Sequence, residues 1–384
     1  MHLALSEIRR NRSRFLLISS IIALITTLVL FIVALSEGLG SGNIEGLTKL
    51  DANLLVFQDK SKLSLAASQL SWERVRRVKR VEGVTAVGAM GFSSVSIPTE
   101  YTLNQQQLDV VLVGVQPGEP GDPPIVQGRP LRTEREKAAV IDRKTQLRTG
   151  LKPGDVLMVR SVQDAKDEYY ALVVAGVTDD RQFSLRPSVF VPLRTWSTLR
   201  PGTRPSLDAG DLAVSVLAVR TDPSISQTTM IRRLSHDVSD IEAVDLKTAW
   251  EATPGYKEQQ STLSLQQGFT WFIGLLVIGV FFQILTMQKV SQVGVLKAMG
   301  APNGLIVRSA LAQILLVTAG GVVAGALGAY ALALGIPATV PLSWPIDRLI
   351  VTLFSLLVLG PIGGLVSLRI LLKVEPLTAL GLAK

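Results

Sequence analysis

The chain has 384 residues, a formal net charge of +8 and a mean hydropathy of +0.36. It contains no cysteine, which excludes disulfides and thiolate metal sites. Much of its positive charge sits at the ends of apolar runs, where it anchors and orients membrane spans, so it does not call for a nucleic-acid partner.

The first apolar run, FLLISSIIALITTLVLFIVALS, extends uncharged from Phe15 to Ser36. A helix of about 20 residues crosses a ~30 Å hydrocarbon core, so residues 15–37 are expected to span the bilayer. Arg9, Arg10, Arg12 and Arg14 precede it, placing segment 1–14 on the cytoplasmic side. A cleaved signal peptide is the alternative. Its apolar core would run only about 7–15 residues, and Ala34-Leu35-Ser36 matches the small-residue cleavage pattern weakly. Glu37 and the glycine-rich EGLGSG follow. Those glycines suggest a flexible exit from the bilayer rather than a phosphate loop, because they follow a span and not a strand.

Residues 38–264 are ordinary mixed sequence, long enough for one large or two small domains. The pattern is α/β. Strands are expected at 53–57, 108–115, 137–142, 155–160, 169–177, 188–193 and 212–220. Helices are expected at 70–81, where Trp72, Val75, Val78 and Val81 recur at helical spacing, and at 230–238. The arginines and lysines around 74–80 are a solvated face or an anionic-lipid contact. Turn signals near 117–124 and 200–206 mark possible subdomain boundaries.

Three more spans follow at 265–287, 309–334 and 349–368. They are separated by a cytoplasmic segment at 288–308 and an outer loop at 335–348, and a cytoplasmic tail occupies 369–384. Basic flanks fall on one side throughout, so four spans, a plasma-membrane location and cytoplasmic termini are self-consistent. Within the spans, Gln283 and Gln313 suggest interhelical hydrogen bonds or cargo contacts. Gly321 and Gly325 form G-x-x-x-G, with Gly328 beyond, and suggest close packing of the third span on a neighbour. Phe269 and Trp271 suggest interfacial anchors or a stacking surface for a flat ligand.

Catalytic groups are scarce. The histidines, His2 and His236, fall on opposite sides of the membrane, so no histidine pair can hold a metal. There is no Walker-type phosphate loop, zinc-protease motif or nucleophile elbow, so the chain is not expected to be an enzyme. Tyr169 and Tyr170 fit strand positions better than ligand positions. The informative segment is QKVSQVGVLKAMGAPNGLIVRS, 288–309. Val293, Leu296 and Met299 recur at helical spacing with Lys297 on another face, and Gly300 ends the helix. Such a helix either lies on lipid or docks into a groove on a cytoplasmic protein.

SQVGVLKAMGAP resembles the signature of the permease superfamily that includes the macrolide exporter, the lipoprotein-release permeases and the cell-division permease. Gly294, Leu296, Lys297, Ala298, Gly300 and Ala301 match best, and VEPLTALG at 374–381 resembles the family's closing pattern. Gln292 stands where the family often has Glu. The resemblance implies four spans, one large extracytoplasmic domain and a homodimer. It also implies two copies of an ATP-binding cassette subunit that carries ATP and Mg. Gln292, Gly294, Leu296, Lys297, Met299, Gly300 and Ala301 would couple to that subunit. The N-terminal LALSEIRRNRSRFLLISS through LDANLLVFQ is similar to bacterial haem-efflux permeases. That implies export of haem, or a similar flat amphiphile, from the membrane by ATPase-driven lever motion. On this reading Glu37, Ser36, Phe269 and Trp271 line the substrate site, and Glu37 could ligate a haem iron. No resident cofactor or metal is expected. The alternatives are a lipoprotein, peptide or antibiotic cargo, or a relay of ATPase motion to an outer hydrolase.

Overall fold

A computed structural model of the protein describes residues 12–202, 212–337 and 340–373. His2, Arg9, Arg10 and the tail motif at 374–381 lie outside them. The chain forms two units, one from residues 40–259 and one from the residues up to 39 and from 260 onward.

Helix α1 (Arg12–Thr48) does not end at Glu37 but continues through the glycine-rich stretch. The reason is close packing rather than flexibility. Gly38, Gly42 and Gly46 fall every fourth residue and share a helix face. A Cβ at Gly38 would lie 1.9 Å from the Pro341 oxygen, and one at Gly46 would lie 2.3 Å from the Phe183 ring. The 182–185 loop bonds directly to this extension. The Gly46 N–H donates to the Gln182 carbonyl at 2.7 Å, and the Ser184 N–H donates to the Asn43 carbonyl at 3.1 Å. Arg181 closes the helix end by donating from Nη1 to the Lys49 carbonyl at 2.7 Å.

Within residues 40–259 the elements are β1 (Leu54–Gln58), α2 (Trp72–Lys79), β2 (Val84–Ile97), β3 (Leu108–Val115), β4 (Gln127–Gly128), β5 (Ala138–Asp142), α3 (Arg143–Thr149), β6 (Val156–Gln163), β7 (Lys166–Thr178), β8 (Ser188–Pro192), α4 (Leu193–Leu199), β9 (Val216–Thr221), α5 (Gln227–Asp237), β10 (Ile241–Asp245) and α6 (Leu246–Glu251). The strands form one mixed sheet in the order β10-β1-β9-β2-β3-β8-β5-β7-β4, and β6 pairs with β2 and β7. Both faces are covered. Leu54 and Val56 point into one core, while Leu55 and Phe57 point into the other, as period-2 alternation requires.

Strand β2 joins two halves of this sheet. Its residues Val84–Met90 pair with β9, and Gly91–Ile97 pair with β3. The chain therefore crosses from one half to the other along a strand, not at the 117–124 turn. Trp196 seals the junction. Its ring fills the space that a Cβ at Gly91 or Gly114 would take, and its Nε1–H donates to Ser93 Oγ at 3.0 Å. Helix α2 buries Val75 and Val78 and turns its basic residues outward. There Arg77 pairs with Glu73 at 2.7 Å, Arg74 with Asp240 at 3.0 Å and Lys79 with Glu119 at 3.2 Å. Asp142 is fully buried at the start of α3, where one oxygen accepts the Thr145 N–H at 2.6 Å. Its other oxygen has no hydrogen-bond partner. Burial, reinforced by the nearby charge of Asp180, raises its pKa to about 7.

The remaining helices are α7 (Tyr256–Ala298), α8 (Asn303–Gly335) and α9 (Ile346–Lys373). Among the described residues, these and α1 are the four helices long and apolar enough to cross a membrane. Small residues set their packing. Gly321 meets Ile22 and Ser19, Gly325 meets Thr26 and Ala23, and Gly328 meets Thr27. Ser19 Oγ donates to the Val317 carbonyl at 3.2 Å, and Thr27 Oγ1 donates to the Gly325 carbonyl at 2.9 Å. Residue numbers rise together along this seam, so α1 and α8 run parallel. On the other side Gly360 meets Thr318 and Gly364 meets Ile314, so α9 runs antiparallel to α8. Val293 of α7 packs with Ile306, Ala310 and Leu311 of α8 across a short turn, which makes that pair antiparallel too. Large apolar side chains such as Leu16, Leu24, Phe272 and Leu276 face outward, as a bundle solvated by lipid requires.

Candidate functional site

Two places on the helical unit combine exposure with built geometry. The first lies where α1 passes Glu37. The segment after α8 folds back onto it: the Ser343 N–H donates to the Ala34 carbonyl at 3.1 Å, and Pro341 presses on Gly38. This contact brings the first turn of α9 over the carboxylate. Arg348 Nε then stands 3.3 Å from Glu37 Oε1, with the arginine side chain 64 % exposed and the glutamate 34 %. An exposed pair of this kind is worth roughly 0–1 kcal/mol, so it holds the groups in place without locking them.

Arg348 was not among the candidates drawn from the sequence, though a signal existed. It is a cation at the very start of the fourth apolar run, as Glu37 is an anion at the end of the first. Ser36 is half-buried beside Glu37. Phe269 and Trp271 do not share its depth. Gly274 of α7 lies opposite Ile25 of α1, and the two helices are antiparallel. At 1.5 Å per residue, Phe269 sits about 10 Å deeper than Glu37, and Trp271 deeper still. Nor do the two aromatics share a face, since residues two apart on a helix diverge. Phe269 is 65 % exposed, while Trp271 packs on the cluster that holds Phe15, Ile22 and Val33. The stacking pair is thus one outward Phe and one inward Trp.

The second place is the turn between α7 and α8. The segment 288–298 is not a separate helix. Nothing in QKVSQVGVLKA breaks a helix, so α7 runs on to Ala298. Gly300 then adopts φ +89°. Its N–H donates to the Lys297 carbonyl at 3.0 Å, and the Ala301 N–H donates to the Leu296 carbonyl at 3.0 Å. Those two bonds are the Schellman arrangement that ends a helix on a left-handed glycine. Pro302 follows and caps α8. The expected apolar stripe divides. Val293 and Gly294 are buried, Leu296, Lys297 and Ala301 are half-buried, and Met299 is 71 % exposed at the tip. The side chain of Gln292 lies outside the described residues.

Other candidates have ordinary surroundings. Gln313 is buried in the bundle, whereas Gln283 faces outward. Tyr169 is exposed on β7, and Tyr170 donates its hydroxyl hydrogen to Glu168 Oε2 at 2.6 Å. His236 is exposed beside Asp237 at 3.0 Å. Among the described residues no cluster of His, Asp or Glu is placed to hold a metal.

Comparison with known proteins aligns with this layout. The model of the MacB-like periplasmic core domain matches residues 15–236, and that of the FtsX-like permease C-terminal region matches residues 268–376. A protein of Staphylococcus haemolyticus named as the hemin transport system permease HrtB is 25 % identical over 381 residues, covering 99 % of both chains. One of Staphylococcus epidermidis with the same name is 22 % identical over 386 residues, again covering 99 % of each. Among solved structures, the extracellular domain of the noncanonic ABC-type transporter YknZ from Gram-positive bacteria aligns with 50 % of this chain and 100 % of its own, at 16 % identity and a TM-score of 0.36. The periplasmic region of MacB from Actinobacillus actinomycetemcomitans covers 54 % of this chain and 93 % of its own, at 15 % identity and a TM-score of 0.37.

Proposed function

We propose, from the premise that the chain belongs to the family joining a MacB-like periplasmic core domain to an FtsX-like permease C-terminal region, that this multi-pass membrane protein is the permease subunit of an ATP-driven pump. Its cargo is haem or a similar amphiphile, taken from the membrane and expelled. The observation that carries the reading is the end-to-end match to relatives named as hemin transport permeases. ATP and Mg are bound and consumed by a separate ATP-binding cassette subunit, of which two copies serve a homodimer of this chain. The tip at 298–301 meets that subunit on the cytoplasmic side, where both termini also lie. Nucleotide-driven movement enters the bundle there and is passed to the spans and the outer domain.

The tip suits that role. It presents Met299 on a turn fixed by main-chain bonds, and the buried Val293–Ile306 contact stands directly behind it. A push on the tip therefore reaches α7 and α8 together. At the other end of the bundle, Glu37 with Ser36 offers a carboxylate and a hydroxyl to a polar or cationic centre of the cargo, and outward-facing Phe269 offers a ring deeper in the bilayer.

The test is reconstitution in vesicles with the cassette subunit, measuring ATP hydrolysis with and without hemin. Hemin is expected to stimulate hydrolysis and its own exit from the membrane. Glu37→Ala is expected to lower both, and Gly300→Pro to leave the protein inserted but uncoupled. Hydrolysis indifferent to hemin in the wild type removes haem as cargo.

A further inference from the structure

The contact over Glu37 is more specific than an interfacial ion pair. Three interactions converge on the last turns of α1 before residue 39. They are the Ser343 N–H on the Ala34 carbonyl, Pro341 on Gly38, and Arg348 on Glu37. The first two are main-chain contacts and fix where the turn of α9 sits. The third is a guanidinium held by a single carboxylate. Its closest approach is Nε to Oε1 at 3.3 Å, which is longer than the 2.7–2.9 Å usual for charged hydrogen bonds. So exposed a pair contributes little net stability, and another carboxylate can take the guanidinium at little cost provided Glu37 finds a new cationic partner.

We propose that Arg348 is a specificity-determining residue of the Glu37 site, binding an anionic carboxylate of the cargo. The inference rests on the reading of Glu37 as a cargo contact. In it, Arg348 holds Glu37 in the arrangement seen here and turns to the cargo carboxylate on binding. The exchange frees Glu37 to face the cargo's cationic or electron-poor centre. The site then selects molecules carrying both features on one flat apolar body. A neutral amphiphile of the same shape would leave the Arg348–Glu37 pair closed. A cation without a carboxylate would open it at little cost, since so exposed a pair is weak, but would gain nothing from Arg348. Arginine suits this role because its planar fork can take a carboxylate through two parallel hydrogen bonds.

The experiment uses the full-length chain in detergent and two probes, hemin and its dimethyl ester, which keeps the iron and ring but lacks the carboxylates. Binding is followed by the visible absorption band. Wild type is expected to prefer hemin by about tenfold, the discrimination one lost charged hydrogen-bond pair gives. Arg348→Gln is expected to weaken hemin binding by about that factor, to leave the ester unchanged and so to erase the preference. Arg348→Lys should restore part of it. Equal binding of the two probes by wild type overturns the role of Arg348 while leaving haem binding intact. So does a preference that persists in a folded Arg348→Gln. Binding of neither probe removes the cargo reading itself, and this inference with it. The wild-type comparison stands even if the variant fails to fold.

Discussion

In the sheet unit the bulky side chains are inside. Phe57, Phe190, Leu112 and Ile141 are fully buried between the sheet and its covering helices. In the helical unit Leu16, Leu24, Phe272 and Leu276 are outside, while Thr26, Thr318, Gly321 and Gly325 line the closest seams beside an apolar cluster that includes Phe15, Ile22 and Phe282. The solvent accounts for the reversal. Water drives leucine inward, but lipid is as apolar as leucine, so helices associate there through close contact and buried hydrogen bonds. One chain therefore has two grammars. In the bundle Gly321, Gly325 and Gly360 mark helix seams, and in the sheet Gly88 and Gly91 mark places where a main-chain oxygen or a ring presses on a strand.

Substitutions that add volume at those glycines test this contrast most severely. Gly325→Leu should be the most damaging. A Cβ there already lies 2.5 Å from Thr26 Cβ and 2.6 Å from the Ala23 oxygen. A cost of about 3 kcal/mol or more is expected, read as lost thermal stability in detergent. Gly268→Leu on α7 has open space around its Cβ and should change little; equal damage at both sites would break the seam account. Gly88→Ala in β2 comes next, because its Cβ would lie 1.7 Å from the Pro120 oxygen. A loss of about 1–3 kcal/mol is expected, with the helical unit unaffected.

Asp142→Asn sharpens the comparison through pH. The folded-state pKa of Asp142, near 7, lies well above the ordinary aspartate value, so the folded chain holds this proton more tightly than the unfolded one. Its contribution to stability is therefore greatest below pH 4, declines as pH rises toward 7 and is flat above. Asparagine keeps the helix cap and removes the charge. The variant should lose that decline and be the more stable at pH 8, by roughly 1–3 kcal/mol. Melting curves from pH 5 to 8 measure this, and parallel curves for the two proteins would contradict it. The smallest effect is expected at Gly300→Ala. A left-handed alanine costs about 1–2 kcal/mol, confined to the turn at 298–301. Global melting should barely move while hemin-stimulated ATP hydrolysis falls.

Much of this architecture was legible in the residues. The apolar runs announced the membrane helices, and Gly321 and Gly325 announced their seam. The β-branched strands were visible because their burial leaves a compositional trace. Strand β2 was not, although it is the longest. Its Gly88, Gly91, Ser93 and Ser94 lower its strand signal, and they are there because Pro120 and Trp196 need room. The stretch 38–48 was misleading for a related reason. Glycines that weaken an isolated helix predict a flexible exit, but Phe183 and the 182–185 loop supply the contacts that hold them helical. The segment 288–298 reads as a short helix standing apart, but it has no break to separate it from the preceding span, and the helix runs on to Ala298. At the candidate site Glu37 stood out by its position, while Arg348 did not. Their meeting depends on the fold-back of residues 340–345, a tertiary event without a local pattern.

The turn at 299–302 is drawn in peptide bonds rather than in side chains. Its outline should therefore outlast exchange of whatever residue sits on its crest. A knob made that way can be re-lettered at its crest without disturbing the timbers behind it.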